Sequence, residues 1–208
     1  MFPLMIDLKG KKVVIVGGGK IAANKARVLA TDQPDITFIS PHFSSDIIEL
    51  SNERGYTMVQ RKAMLDDLTE AMLVILATND RETNRTLAQL LPPQQLVCVV
   101  DEATDGNVLF PASFQRGYLQ IAVSSNGASP KLTRMLKKQL SLQFDESWDM
   151  YTEFLWKCRQ MIKGLPLSAQ EKSCLLEEIL DERYRIDEQI RTEKLEQLRK
   201  LNKTTENL

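Results

Sequence analysis

Short apolar runs fill the first hundred positions, separated by longer stretches in which apolar residues recur every three or four places. The runs at 12–16, 36–40, 57–61, 73–77 and 96–100 have strand length and are apolar enough to be covered on both faces. Between them the spacing predicts helices over 21–29, 44–52 and 83–91, the last stopped by Pro92-Pro93, because proline cannot continue a helix. Strands alternating with helices in this way predict an α/β unit, a parallel sheet with helices on both faces.

The pattern changes after position 100. Two more strands are predicted at 108–112 and 119–124, joined by a turn at Gln115-Arg116-Gly117. A polar loop follows, Ser124-Ser125-Asn126-Gly127-Ala128-Ser129-Pro130, in which Ser129 suits a helix N-cap and Pro130 the first helical position. The helix it opens, over 131–144, carries Leu132, Leu136 and Leu140, with Met135 beside them, at helical spacing. From 145 no strand pattern remains. Met150, Phe154 and Met161 mark one helix, broken at 164–166, and Ser168 caps a second through 180. A third, from 181 to about 202, places Ile186, Ile190, Leu195 and Leu198 among many charges. The tail 203–208 is polar and expected to fray. Three regions result: 1–112, 113–144 and 145–208.

Composition narrows the class. Over 208 residues, 27 Lys and Arg against 28 Asp and Glu leave a net charge of −1, which gives no footprint for nucleic acid or an anionic membrane. The longest apolar run, 71–77, is far short of the roughly 20 residues that cross a bilayer. Residues 1–10 include Asp7 and Lys9 and lack the apolar core of a signal peptide. Cys98, Cys158 and Cys174 are odd in number and widely spaced, neither a disulfide framework nor a zinc pattern, and His42 is the single histidine. A cytoplasmic protein with no metal site is expected.

Candidate chemistry begins where the first strand meets Gly17-Gly18-Gly19-Lys20-Ile21-Ala22. A strand that turns through glycine into a helix leaves backbone N–H groups pointing outward at the positive end of the helix dipole, a place to hold phosphate. As G-x-G-x-x-A the segment fits the dinucleotide fingerprint: Gly17 makes the turn, Gly19 admits the pyrophosphate, and Ala22 keeps helix and strand close. The acid usual after the second strand is missing. Asp35 precedes that strand, while Ser40 could bond the ribose and Pro41 with His42 could wall the adenine, so NAD and NADP are not distinguished. The fourth strand runs into Thr78-Asn79-Asp80, where cofactor contact and simple turn chemistry, with Asp80 as a helix cap, are both open. The fifth ends at Asp101, either a loop acid or, partly desolvated with its pKa lifted above about 3.9, a proton acceptor. Glu102 and Asp105 are less well placed. Arg116, Lys131, Arg134, Lys137 and Lys138 cluster beyond. Lys131 and Arg134 fall in a first helical turn, where cations oppose the dipole, and a polycarboxylate substrate would give them a reason.

Taken together, the glycine loop with Lys25-Ala26-Arg27, the Ala77-Thr78-Asn79-Asp80 segment, Val99-Val100-Asp101, Phe110-Pro111-Ala112 and the Val123–Pro130 loop resemble the precorrin-2 dehydrogenase family, the NAD-dependent module of siroheme synthases. The resemblance runs from Phe2 to about Leu140 and implies a Rossmann-type parallel sheet, then a small α+β dimerisation and substrate-cleft region at 113–144, then a helical domain. It also implies NAD-dependent oxidation of precorrin-2 to sirohydrochlorin by a homodimer. Asp101 falls on the family's proton acceptor; Lys20, Ile21, Pro41 and His42 fall on cofactor contacts; Ser125 falls beside the substrate cleft, next to Asn126. Two positions depart: Cys98 stands where the family commonly has Asn, and Asn126 where it has Gly. At 208 residues no fused methyltransferase is expected. Iron insertion by the same chain, or a non-catalytic NAD-sensing module, are the alternatives; the missing Cys/His cluster speaks against a tightly held metal.

Overall fold

The computed structural model describes residues 1–205 and divides into two compact units, Met1–Phe110 and Pro111–Leu208. In the first, strands β1 (Lys12–Val16), β2 (Asp35–Ile39), β3 (Thr57–Val59), β4 (Leu73–Leu76) and β5 (Leu96–Val99) alternate with helices α1 (Lys20–Leu29), α2 (Ser45–Arg54) and α3 (Arg81–Leu90). All pairings are parallel and the order is β3-β2-β1-β4-β5, the doubly wound arrangement expected from the alternation. The order reverses between β1 and β4, so a crevice opens at their carboxyl ends.

Strand periodicity of two divides the core. Val13 and Ile15 of β1, Phe38 of β2 and Ile75 of β4 pack on one face with Ala22, Ala23 and Ala26 of α1 and Ile47 of α2. Val14, Val16, Val74, Leu76, Val97 and Val99 pack on the other with Leu68, Ala71 and Leu91. Three alanines on one helical stripe let α1 lie close to the sheet, which holds its N-terminus at the crevice. Cys98 faces the first of these clusters and is a core residue. Burial pushes its thiol up, an effect that the charge of Lys25 opposes.

The second unit opens with a hairpin, β6 (Ala112–Arg116) antiparallel to β7 (Leu119–Val123), followed by α4 (Pro130–Gln143), α5 (Ser147–Gly164), α6 (Ala169–Glu178), α7 (Arg183–Ile186) and α8 (Glu188–Thr205). The strand expected at 108–112 does not form. Asn107 and Val108 donate to the Val97 carbonyl at 2.9 and 3.0 Å, Val108 and Phe110 pack on the first core, and Pro111 offers no N–H to a ladder. Strand β6 therefore starts at Ala112, and the turn falls on Gly117-Tyr118 rather than on 115–117. Gly117 has φ of 53°, and a Cβ there would meet Thr152 Oγ1 and the Asp149 carbonyl of α5.

The single helix expected from 181 is two. Asp187 turns to φ −112° and ψ 117°, and its carboxylate accepts from the N–H groups of Gln189 and Ile190 at 2.8 and 3.3 Å. Helix α8 runs past the expected limit to Thr205; residues 206–208 of the expected fraying tail lie outside the described residues. Tyr151, Phe154, Cys158, Ile162, Ile179, Tyr184 and Leu198 form the core of these helices. No described helix is long and apolar enough to cross a membrane.

Candidate functional site

The first unit holds a cleft of about 580 Å³, within the usual range for cofactor sites, over the carboxyl ends of β1, β2 and β4. Gly17, Gly18 and Gly19 line its floor, Ser40, Pro41, His42, Phe43 and Ser44 one end, and Thr78, Asn79 and Asp80 another. Each glycine has a different reason to be glycine. Gly17 has φ of 141°, and a Cβ on it would meet the Ala77 carbonyl of the neighbouring strand end. Gly18 would place a Cβ into the His42 carbonyl and near Ser40 Oγ. Nothing lies within 4 Å of a Cβ on Gly19.

Gly19 also caps α1 without any side-chain bond, and the first turn carries no acid. The N–H groups at this helix start are thus offered to an anion, over open space. A dinucleotide pyrophosphate fits that description: donors, a favourable dipole and room. Lys20 and Ile21 begin α1, both exposed, at the rim rather than on the lining. Asp35 opens β2 opposite Lys12, at the far end of the strand. The lining after β2 carries Ser40, Pro41 and His42 and, from the loop after β3, Lys62.

Asp80 is the N-cap of α3; its carboxylate accepts from the backbone of Glu82 and Thr83 at 3.1 and 3.2 Å and from Thr83 Oγ1 at 2.7 Å. The Thr83 hydroxyl bond in particular holds its carboxyl below the usual range. Asp80 therefore serves the helix. Thr78, two residues before, is gripped by a residue absent from the sequence reading: Asn84, on the inner face of α3 and fully buried. The Thr78 hydroxyl donates to Asn84 Oδ1 at 2.7 Å, and Asn84 Nδ2 donates to Asp101 Oδ1 at 3.0 Å. Asp101, beyond β5, is 20% exposed, with Arg81 Nε 3.6 Å from Oδ2. It is not on the cleft lining itself but is tied through Asn84 to Thr78, which is. No sequence signal marks Asn84, because a polar residue in a helical pattern reads as solvent-facing until the fold buries it.

Ser125, Asn126, Lys131 and Arg134 lie in the second unit. Asn126 and Gly127 have φ of 49° and 87°, with Ala128 N–H returning to the Ser125 carbonyl at 2.9 Å, as a mirror-image Asn-Gly turn requires. Asn in the place of glycine is therefore accommodated. Ser125 Oγ accepts from Ser129 N–H at 2.9 Å, and Ser129 Oγ in turn accepts from Leu132 N–H at 3.3 Å as the N-cap of α4. Arg134 Nε donates to the Pro130 carbonyl at 3.2 Å, so it has a local partner, while Lys131 is exposed at the helix start. Among the described residues no three His, Cys, Asp or Glu side chains come together as a metal-binding group.

Residues 4–112 match the family described as putative NAD(P)-binding, 116–141 the one described as sirohaem biosynthesis protein central, and 148–194 the SirC C-terminal domain. The chain is 38% identical over 200 residues to the precorrin-2 dehydrogenase of Priestia megaterium, covering 96% of this chain and 99% of that protein. It is 35% identical over 160 residues to the precorrin-2 dehydrogenase of Bacillus subtilis (strain 168), covering 77% and 99%. Among solved structures, SirC, a precorrin-2 dehydrogenase, superposes with a TM-score of 0.84 at 37% identity, covering 96% of this chain and 100% of that one. Likeness in sequence and in fold thus extends over 96% of the chain, both units included, and the chain belongs to the precorrin-2 dehydrogenase family.

Proposed function

We propose that this chain oxidises precorrin-2 to sirohydrochlorin in the cytoplasm, as a homodimer, with NAD as acceptor. The observation that carries the reading is likeness to precorrin-2 dehydrogenases over the whole chain rather than over the nucleotide-binding part alone. The reaction removes two hydrogens from the tetrapyrrole, one as hydride and one as proton. Bound NAD supplies the site for the hydride.

The remaining tasks fall to the protein. Gly17 and Gly19, with the start of α1 at Lys20 and Ile21, hold the pyrophosphate. Ser40, Pro41 and His42 hold the adenosine end, and Thr78 and Asn79 face the nicotinamide end. Asp101 takes the proton; its neighbours, an amide N–H and a guanidinium, suit a carboxylate acceptor. Ser125, Asn126, Lys131 and Arg134 hold carboxylates of the substrate, with Lys131 supplying an exposed cation and the N-terminus of α4 a favourable dipole.

The dimer is supported by what the second unit leaves uncovered. No residue from 111 to 150 is fully buried. Leu136 and Leu140 of α4 are half-buried beside the hairpin, whereas Leu132, Met135 and Leu142 are 43, 50 and 73% exposed along one side of the same helix. The test mixes purified protein, precorrin-2 and NAD and follows NADH absorbance. We expect NADH to appear with sirohydrochlorin, and Asp101→Ala to slow turnover about 100-fold or more while NAD still binds. Absence of NADH with both NAD and NADP would overturn the reading.

A further inference from the structure

Asn84 uses its entire hydrogen-bonding capacity in a fully buried site. Its Oδ1 accepts from the Thr78 backbone N–H at 3.3 Å and from the Thr78 hydroxyl at 2.7 Å. Its Nδ2 donates to the Thr78 carbonyl at 3.2 Å and to Asp101 Oδ1 at 3.0 Å. The orientation of the amide is not a matter of choice: the Thr78 N–H can only donate and its carbonyl can only accept, so the group facing Asp101 must be the NH₂. The two oxygens of Asp101 therefore differ. Oδ1 is held by a buried donor; among the described residues Oδ2 has only Arg81 Nε, at 3.6 Å, on a side chain 85% exposed.

We propose that Asn84 is the positioning residue for Asp101: it holds Oδ1, fixes the carboxylate to the Thr78 loop, and leaves Oδ2 as the atom that receives the proton. This rests on the dehydrogenase reading above. In the step, a bond to hydrogen on the tetrapyrrole breaks, its electron pair stays on the tetrapyrrole, and an O–H bond forms at Oδ2. Asp101 passes from anionic to neutral, Oδ1 keeps accepting from Asn84, and the proton afterwards leaves to water past the exposed Arg81. Thr78 lines the cofactor cleft, so one amide keeps the acceptor and the cofactor-facing backbone in fixed register. Arg81 is the charged group that α3 turns toward Asp101. Glu102, the N-cap of the short 3-10 turn Ala103–Asp105 beside it, accepts from Thr104 Oγ1 at 2.9 Å, and Asp105 is the acid within that turn.

The test uses Asn84→Asp, which keeps shape and the acceptors for the Thr78 N–H and hydroxyl but sets an oxygen where Asp101 and the Thr78 carbonyl now meet N–H groups. We expect kcat to fall about tenfold or more. We expect the acid limb of its pH profile to move up by about one unit, and affinity for NAD alone to change less than about twofold. A variant that loses NAD affinity and thermal stability together, with the acid limb unmoved, has lost a merely structural bond, and the proposal falls. A second measurement needs no variant and no substrate. In the unliganded wild-type protein, the Asn84 side-chain amide resonances should titrate with the same midpoint as the Asp101 carboxyl carbon. Amide signals indifferent to that titration would overturn the proposal. If the titrations coincide but the wild-type protein forms no NADH from precorrin-2, the dehydrogenase reading fails and the proton-acceptor role falls with it, while the pairing of Asn84 with Asp101 stands.

Discussion

The carbonyl oxygen of His42 occupies the space that a side chain on Gly18 would need. The loop after β2 crosses directly over the middle glycine, and Ser44 N–H bonds the Gly18 carbonyl at 2.8 Å. Gly18 is therefore a packing glycine that brings two strand ends together, whereas Gly19 has open space above it, where the proposed pyrophosphate would approach.

Alanine at the two positions separates these roles. Gly18→Ala forces backbone against backbone and should cost about 3 kcal/mol of stability, with a lowered melting temperature even without cofactor. Gly19→Ala should stay within about 1 kcal/mol of wild type, since only a modest N-cap preference changes. Its NAD dissociation constant should nevertheless rise about tenfold or more, because a methyl group enters the phosphate's approach. Calorimetric melting and NAD titration of both variants check this; equal loss of stability in the two would refute it.

The three thiols should separate cleanly. Cys98 and Cys158 are buried and Cys174 is exposed. Burial pushes the Cys158 thiol up to about 11, despite Lys194 nearby, and that of Cys98 upward as well. Since the thiolate is the reactive form, a disulfide reagent near pH 8 should modify one thiol per native chain and all three once the chain is unfolded. Fast reaction of two thiols in the native protein contradicts the burial.

Lys194 Nζ lies 2.7 Å from Glu178 Oε2, yet the partners are unequally buried, with side chains 5% and 39% exposed. Glu178→Ala strands a buried ammonium and should cost about 3 kcal/mol. Lys194→Met leaves a carboxylate that water can reach and should cost about 1 kcal/mol or less. Urea melts of both variants test the asymmetry.

The same pair makes stability depend on pH. The hydrogen bond from Lys194, helped by Tyr184, holds the Glu178 carboxyl below its ordinary 4.5. A depressed carboxyl stabilises the fold fully above that ordinary value, and the contribution disappears as pH falls through the folded value. Melting temperature should therefore drop as pH falls below about 4.5, and drop less steeply in Lys194→Met. Parallel curves would exclude this pair as the cause.

For the dimer, Leu132→Glu and Met135→Glu place charges on the uncovered side of α4 without touching Leu136 or Leu140. Sedimentation should find the wild-type protein at twice the chain mass of 23.7 kDa and the double variant at that mass. A wild-type monomer would remove the homodimer from the proposed function.

Local pattern by itself determined the sheet and its crossing helices. Lys12–Val16 forms a strand over just the expected residues, and the apolar runs at 36, 73 and 96 each form within a residue, because a strand covered on both faces needs nothing but continuous apolar character. Ser129 and Ser168 were legible as caps for the same reason: the bond is made within three residues. What the chain order could not disclose depends on segments far apart in sequence. The division of labour between Gly18 and Gly19 is set by where the His42 carbonyl passes. The start of β6 depends on Val108 turning back to the Val97 carbonyl. Asp101 was visible as an acid at a strand end, but its partner was not, because a polar residue inside a helical pattern reads as solvent-facing until the fold buries it. Only the packing of α3 against the ends of β4 and β5 brings Asn84, Thr78 and Asp101, residues up to 23 positions apart, within hydrogen-bond reach.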